Sequence, residues 1–381
     1  MAVRETLVKL REELGTLVFE RHAEVNGLLL ALLTRKHIAL IGPAGTGKSL
    51  VARLTTGAIV DTVFWERLFT RFTVPEEVFG PVSIAALKAD SFRRVTKGHL
   101  PEATVAFADE IFKANSSIQN SLLAIMNERL FHNDGAPTEV PLEVLIGASN
   151  EIPTEESLAA FYDRFLLRYV LRYISEPSHF IDMLKGPQTF KEFSARVTAR
   201  VSLDDLHGAQ EEVRATVVPE PVVMGVTAIR QTLAQQGLQP SDRRYKEAMS
   251  LVRAKAWMQG RPEAIMDDLA ILTDVLWTDP VSRQLVQGVV LEVANPLLKT
   301  AESQHDAVQI AYANLGKITD KKERILTGSE VLSKANEALA ALESIRTQGE
   351  KAAMDMTVVD AHIQAVVRIR TEVQRGLGLI K

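Results

Sequence analysis

The sequence predicts an α/β fold in which a largely parallel sheet lies between helical layers, followed by an all-α lid domain and a helical C-terminal extension. Two observations support this prediction. Up to about residue 180, short apolar runs alternate with helical patterns, as in parallel strands joined by helices. Beyond that point helical periodicity continues, interrupted only by proline and glycine. We therefore expect an αβα domain at 1–185, a lid at 186–285 and the extension at 286–381.

The first domain is marked by short apolar runs, each a candidate for a buried strand. They are His37–Ile41, Val63–Trp65, Thr104–Ala108, Val144–Ala148 and Tyr169–Tyr173. Helical spacing is found at 1–35, Leu50–Ile59 and Ser116–Glu128. This alternation indicates a layered sheet with helices on its faces.

One segment of the first domain breaks this rhythm. Two short extended runs flank Asn133-Asp134-Gly135, a strong turn signal because these residues tolerate positive φ. We expect an antiparallel hairpin at Arg129–Leu142.

The second half of the sequence carries helical patterns alone. Four helices are expected at Ser202–Thr216, Val222–Gln236, Ser241–Gln259 and Pro262–Leu276. In the tail, Ile325, Leu332 and Leu339 recur with a seven-residue spacing, which is typical of packed helices. The tail is therefore expected to form a helical hairpin or a small bundle.

The composition restricts the class of protein. The formal net charge of −4 argues against a protein built mainly to coat nucleic acid. The absence of cysteine excludes disulfides and cysteine zinc sites, and favours a reducing compartment. We see no secretory signal, and no apolar run approaches the roughly 20 residues that span a bilayer. A cytoplasmic protein is the expectation.

A complete phosphate-binding motif, or P-loop, follows the first predicted strand. The motif G-x-x-x-x-G-K-[ST] is matched by Gly42-Pro43-Ala44-Gly45-Thr46-Gly47-Lys48-Ser49, between a strand and a helix as the motif requires. Main-chain N–H groups and the helix dipole favour phosphate there. We expect Lys48 to reach the β and γ phosphates, Ser49 to ligate Mg²⁺, and Leu50 to complete the nucleotide-binding stretch. The alternative is a chance glycine-rich turn.

Polar residues end two other predicted strands. Asp109 and Glu110 follow an apolar run, and in a P-loop fold the first would hold Mg²⁺ while the second would deprotonate the attacking water. Asn150 ends the next run, where its amide could sense the γ-phosphate. A solvated loop and an ordinary turn residue are the alternatives.

Two arginine pairs are candidates for contacts to the γ-phosphate. Arg164 is favoured to act on the nucleotide of a neighbouring subunit, with Arg168 as the reserve, because arginine suits the charge of a transferring phosphoryl group. In the predicted lid, Arg243 is favoured over Arg244 to reach back to the nucleotide. The alternative is a set of surface ion pairs, for example with Asp163.

Together these residues resemble the AAA+ superfamily, and within it the MoxR family, including its RavA-like branch. The resemblance covers about residues 10–285, and its motifs occur in the expected order: Ile41–Ser49, Phe107–Ile111, Gln119–Arg129, Gly147–Glu151, Asp163–Phe165 and the lid stretch Ser241–Arg244. The sequence departs from the common pattern at Ala44, where proline is commoner, and at Phe112-Lys113, where Asn-Arg is commoner.

The resemblance implies an ATPase that uses ATP and Mg²⁺ and usually assembles as a hexameric ring. MoxR proteins typically remodel or assemble partner proteins as chaperones do, commonly with a partner carrying a von Willebrand factor A domain. The hairpin and the stretch Phe79–Pro101 would correspond to insertions that often face the pore of a ring or a partner. By position in the family, the adenine would lie near Arg21–His22.

Two other functions are compatible with the motifs. A nucleic-acid motor is one, since related AAA+ clades share the hairpin, but the hairpin is not basic: it carries Arg129, His132, Asp134 and Glu139. The other is a nucleotide-gated scaffold without hydrolysis, against which the intact Glu110 and Arg164 argue.

Overall fold

The computed structural model describes residues 2–153, 156–318, 320–351, 354 and 356–379. The last two residues of the predicted extension, Ile380 and Lys381, lie outside the described residues. The strands are β1 (His37–Ile41), β2 (Ile59–Val60), β3 (Phe64–Leu68), β4 (Val105–Asp109), β5 (Leu130–Asn133), β6 (Ala136–Glu139), β7 (Val144–Ser149), β8 (Phe165–Val170) and β9 (Val201–Ser202).

The helices follow the predicted alternation. They are α1 (Val3–Leu17), α2 (His22–Thr34), α3 (Lys48–Thr56), α4 (Pro75–Phe79), α5 (Ile84–Lys88), α6 (Ser116–Glu128), α7 (Glu156–Tyr162), α8 (Pro177–Lys185), α9 (Phe190–Arg196), α10 (Leu203–Ala215), α11 (Glu220–Gln235), α12 (Asp242–Met258), α13 (Pro280–Ala294), α14 (Pro296–Leu315), α15 (Lys321–Lys351) and α16 (Thr357–Gly376). Helices of the 3₁₀ type occur at Leu100–Glu102, Ile111–Lys113 and Met266–Asp274.

The main sheet has five strands in the order β3-β4-β7-β1-β8, and every neighbouring pair is parallel. All five residues of β1 and all six of β7 are buried, as expected for central strands covered on both faces. The helix α2 packs closely on β8, because a Cβ at Gly27 would lie 2.3 Å from the hydroxyl oxygen of Tyr169. The predicted parallel α/β fold is confirmed.

Several predicted elements differ from the structure: the helix expected at Leu50–Ile59 ends at Thr56, and Ile59 begins β2. The last strand of the sheet begins at Phe165, four residues before the predicted start at Tyr169. The apolar run in the sequence is interrupted by the charged Arg168, which is nevertheless buried within the strand.

The helix predicted at Pro262–Leu276 is instead a nine-residue 3₁₀ helix, Met266–Asp274. There the carboxylate of Asp268 accepts a hydrogen bond of 2.8 Å from the amide of Ile265, the residue before the first turn, and so caps the start of this element.

The hairpin is present, with β5 and β6 antiparallel and Asp134-Gly135 at the turn. Both turn residues have positive φ, 59° and 73°, as a two-residue hairpin turn requires. The carboxylate of Asp134 accepts hydrogen bonds from the hydroxyl of Ser91 and the amide of Phe92. These bonds lower the pKa of Asp134 and join the turn to the segment that contains α5.

Contacts between residues divide the chain into two compact units. One comprises Met1–Val218, Pro240–Ala264 and Asp274–Pro280, and therefore includes the whole sheet with α10 and α12. The other comprises Pro219–Gln239, Ile265–Thr273 and Val281–Lys381. In it, α14, α15 and α16 pack around a shared apolar core that includes Val308, Leu342 and Val366. The domain boundaries near residues 185 and 285 stay predictions.

Within the described part of the chain, no helix combines the length and apolar character needed to cross a membrane.

Candidate active site

The P-loop joins β1 to α3 at the edge of the sheet where the strands end. Gly45 and Gly47 have φ of +79° and +84°, and a Cβ at either position would meet nothing within 4 Å, so it is the left-handed backbone that requires glycine. Gly42 is required for another reason, since a Cβ there would lie 2.3 Å from the carbonyl oxygen of Leu171. The loop is thus an open turn of main chain on a close-packed base.

Lys48 opens α3 and is 8% exposed. Its ammonium donates hydrogen bonds to the carbonyl oxygens of Gly42 and Pro43 and, over 3.0 Å, to the side-chain oxygen of Asn150. Burial lowers the pKa of Lys48, and the nearby carboxylates of Asp109 and Glu110 act in the opposite direction. The predicted lysine, amide and acids therefore meet at one place.

The two acids reach that place because β7 lies between β1 and β4, and all three strands run in one direction. Asp109 is the last residue of β4, and Glu110 follows it with φ of +53°, an uncommon conformation for a non-glycine residue. Glu110 is 9% exposed, and its carboxylate lies 3.2 Å from the ammonium of Lys113. The turn therefore places the carboxylate of Glu110 near the P-loop, with the ammonium of Lys113 beside it.

The donor set fits a nucleotide with a hard cation. The hydroxyl of Ser49 is in the first turn of α3, and Ser49 is exposed beside the buried Lys48. Hydroxyl and carboxylate oxygens are the ligands that Mg²⁺ takes, together with water and phosphate oxygens. Ser49 and Asp109 would hold the ion, and Leu50 follows in the same partly exposed turn.

Arg164 lies at the opposite edge of the sheet, immediately before β8 begins. Its side chain is 22% exposed, and its Nε is buried without a hydrogen-bond partner among the residues that the structure describes. Burial and then the neighbouring Arg243 lower the pKa of Arg164, while Asp163 raises it. A guanidinium that is only partly compensated is suited to an incoming anion.

Arg243 lies on α12 beside Arg164, and this corrects part of the sequence prediction. Its guanidinium binds Glu247 at 2.6 Å and Asn127 at 2.8 Å, and Glu247 also pairs with Lys36, the residue before β1. That edge is roughly 16 Å, the length of a five-residue strand, from the P-loop of the same chain. In this conformation Arg243 does not reach back to the nucleotide of its own subunit.

Arg168 and Arg244 are also corrected, because both are buried. Arg168 is 1% exposed and donates to the carbonyl oxygens of Trp277, at 2.7 Å, and Tyr162, at 3.1 Å. Burial lowers the pKa of Arg168 to about 9. With its guanidinium enclosed, Arg168 cannot serve a neighbouring subunit as the reserve for Arg164.

Arg244 is 2% exposed and bonds to the carbonyl oxygen of Leu166 at 2.7 Å and to the carboxylate of Asp163 at 3.1 Å. It therefore ties α12 to the start of β8 and has no free face for a nucleotide.

The segment predicted near the adenine contains a residue with a different contact. Arg21 is 7% exposed, and its Nε donates to the carbonyl oxygen of Thr46, in the P-loop, at 3.1 Å. His22, the next residue, is exposed. From the sequence we missed this contact, and also the bond of 3.2 Å from the hydroxyl of Tyr173 to the carbonyl oxygen of Ala44, because neither residue belongs to a nucleotide motif.

The chain matches two protein-family models and has similar relatives. Residues 5–211 match the family model described as the MoxR domain in the MoxR-vWA-beta-propeller ternary systems, and residues 221–290 match an AAA lid domain. Two uncharacterised proteins of Methanocaldococcus jannaschii are 36% and 33% identical to the chain, over 91% and 98% of it and over 91% and 100% of their own lengths.

A more distant relative and a solved structure point the same way. The chaperone MoxR1 of Mycobacterium tuberculosis is 25% identical over 80% of this chain and 86% of its own length. The crystal structure of a protein from Cytophaga hutchinsonii that is described as a proposed ATPase is similar, with a TM-score of 0.61 at 19% identity. The match covers 76% of this chain and 94% of that one, and it concerns the fold alone. The chain therefore belongs to the MoxR family of AAA+ ATPases.

Proposed function

We propose that this protein hydrolyses ATP with Mg²⁺ in an active site shared between two subunits, and uses the energy to remodel or assemble a partner protein. One observation carries the proposal. The P-loop, Asp109, Glu110 and Asn150 lie at one edge of the sheet, while Arg164 and Arg243 lie at the other. Each subunit thus has both halves of a catalytic site, but cannot bring them together by itself.

The chemistry at the first edge follows from the side chains there. The main-chain amides of the P-loop and the ammonium of Lys48 bind the phosphates. Mg²⁺, held by Ser49 and Asp109, would supply charge neutralisation at the phosphates. Glu110 accepts a proton from the attacking water, and Asn150, already bonded to Lys48 at 3.0 Å, orients that water against the γ-phosphate.

The chemistry at the second edge needs a neighbouring subunit. Arg243 lies close enough to Arg164 to help lower the pKa of that guanidinium, and a phosphate beside the two like charges would relieve their repulsion. Both arginines act in trans on the γ-phosphate bound by the adjacent subunit. Such head-to-tail contacts form a ring when the rotation between neighbouring subunits closes, and a hexamer is the state we expect from the family.

The client and partner are inferred from the relatives. The matched family is named for systems that join MoxR, von Willebrand factor A and β-propeller proteins, and one relative is named a chaperone. A partner with a von Willebrand factor A domain and a chaperone-like role are therefore proposed, as are the RavA-like branch and a cytoplasmic location for this cysteine-free chain.

Phosphate release from ATP by the purified protein tests the proposal. We expect Mg²⁺-dependent turnover that Glu110→Gln removes while nucleotide binding is kept. Binding without turnover in the unaltered protein would instead support the nucleotide-gated scaffold. Tight, salt-sensitive DNA binding, which reports release of counterions from phosphates, would support the nucleic-acid motor.

A further inference from the structure

Two side chains from outside the P-loop hold its main chain. The guanidinium of Arg21 donates to the carbonyl oxygen of Thr46 at 3.1 Å, and the hydroxyl of Tyr173 donates to that of Ala44 at 3.2 Å. The first donor is buried at 7% exposure, and the second is exposed. Neither residue is part of the phosphate-binding motif.

The two bonded carbonyls precede Gly45 and Gly47, whose φ angles of +79° and +84° are left-handed. A trans peptide unit is planar, so its C=O and the following N–H point in opposite directions. Holding the carbonyl of Thr46 toward Arg21 therefore directs the N–H of Gly47 away from Arg21. In the same way, the bond to Ala44 directs the N–H of Gly45. Two amides of the loop are fixed by these contacts before any anion arrives.

Arg21 is itself firmly placed. Its two terminal nitrogens donate to the carbonyl oxygens of Glu20, at 2.7 Å, and Arg172. All three nitrogens therefore bind main chain, in three separate segments. The planar fork of arginine matches such a set, and a lysine ammonium does not.

The residue before Arg21 is also restrained. The carboxylate of Glu20 accepts hydrogen bonds from the amides of Ser175, at 3.0 Å, and Glu176, at 2.9 Å. Partial burial raises the pKa of Glu20, but these bonds outweigh it and hold the pKa below its ordinary value. An ionised Glu20 thus ties the backbone beside Arg21 to the start of α8.

We propose that Arg21, assisted by Tyr173, is a positioning residue for nucleotide binding: it preorganises the amides of Gly47 and Gly45 for the phosphates of a nucleoside di- or triphosphate. This inference rests on the proposed function. Preorganisation raises affinity because the cost of ordering the loop is met on folding. Arg21 acts through the loop and does not touch the nucleotide.

The test compares ADP affinity among purified Arg21→Gln, Arg21→Lys and Tyr173→Phe proteins, with Arg214→Gln as the control. Arg214 is 58% exposed and pairs with Glu211 on the surface. A lost charged hydrogen bond predicts roughly 10- to 100-fold weaker ADP binding in Arg21→Gln. Arg21→Lys should fall between, and Tyr173→Phe should weaken binding by about 2- to 5-fold. For ATP turnover, KM should rise with kcat little changed.

Two readouts separate positioning from general damage. Thermal unfolding without nucleotide reports whether each variant folds, and adenosine, which lacks phosphates, should bind all the variants alike. Equal losses for ADP and adenosine, or unchanged ADP affinity in a folded Arg21→Gln, would overturn the inference. If Arg21→Gln fails to fold, wild-type ADP affinity in both Arg21→Lys and Tyr173→Phe overturns it. Failure of the unaltered protein to bind ADP would instead refute the proposed function.

Discussion

The two edges of the sheet are built in different ways. At the edge where the strands end, Lys48, Asn150 and the acids approach one another within one chain, and Lys48 bonds directly to Asn150. At the edge where they begin, the arginines divide into two kinds. Arg168 and Arg244 are enclosed by main-chain carbonyls, whereas Arg164 and Arg243 keep 22% and 38% of their side chains exposed.

This difference shows how residues that complete the active site of a neighbouring subunit can be distinguished from residues that support the fold. Arg168 and Arg244 are almost fully enclosed, and main-chain carbonyls together with Asp163 take up their donors, so both support the fold and offer no face to a ligand. Arg164 and Arg243 stay partly exposed and repel each other even with Glu247 bound to Arg243, so a further anion beside them would be stabilised. The first edge is therefore a nucleotide cradle, and the second is the part of the site that a subunit offers to its neighbour.

The largest effect is expected at the cradle. Replacing Lys48 by alanine removes the cation that reaches the β and γ phosphates, so affinity for ATP should fall on the order of 10³-fold. Isothermal titration measures it, with Lys9→Ala, at an exposed position on α1, as the control. Tight ATP binding by the Lys48→Ala protein would contradict the assignment of this edge of the sheet as the nucleotide-binding site.

Arg164→Ala should reduce kcat by about 10³-fold, since arginines that stabilise a transferring phosphoryl group have effects of that size. ATP affinity and thermal stability should change little because the side chain is partly exposed and distant from the P-loop of its own chain. Steady-state turnover together with equilibrium binding checks both halves of this prediction. Full activity would deny the second edge any catalytic role.

Arg168→Met should behave in the opposite way to Arg164→Ala. It leaves the carbonyls of Trp277 and Tyr162 without their donor, and removing one partner of a buried charged network costs about 3 kcal/mol of unfolding free energy. Urea unfolding measures the loss, and Arg214→Met, at an exposed arginine, serves as the control. A stable Arg168→Met protein with impaired turnover would return Arg168 to the catalytic group.

Glu247→Gln should have the smallest effect. Glu247 pairs with Arg243 at 2.6 Å and Lys36 at 3.4 Å in a partly exposed position, where an ion pair contributes about 0.2–1 kcal/mol. Turnover should therefore fall by no more than about 5-fold, with ADP affinity unchanged. A drop as large as that of Arg164→Ala would mean that Glu247 itself takes part in the chemistry.

The cradle was predictable because its residues form short contiguous motifs at strand ends. Parallel strands bring their carboxyl ends to one edge, so that Lys48, Asp109 and Asn150 could be expected together from their positions in the sequence. The same holds for the Asp134-Gly135 turn, since the backbone conformation limits which residues fit it.

The second edge was less predictable because burial depends on distant partners. Arg164 and Arg168 are four residues apart and look alike in sequence, yet only the second is enclosed, by Tyr162 and by the carbonyl of Trp277. Arg243 was expected at the nucleotide of its own subunit, and only the packing of α12 places it beside Arg164. Arg21 was expected only near the adenine and Tyr173 had no expected role, because their contacts are to main-chain carbonyls that no motif marks.

The central claim is that one active site takes residues from two subunits. ATP turnover by an equal mixture of Glu110→Gln and Arg164→Ala proteins tests it most directly, in rings shown by native mass spectrometry to contain both. Neither variant alone should turn over ATP, but in mixed rings an intact Glu110 meets an intact Arg164 across the interface, and partial activity should return. Mixed rings as inactive as their components would contradict the account.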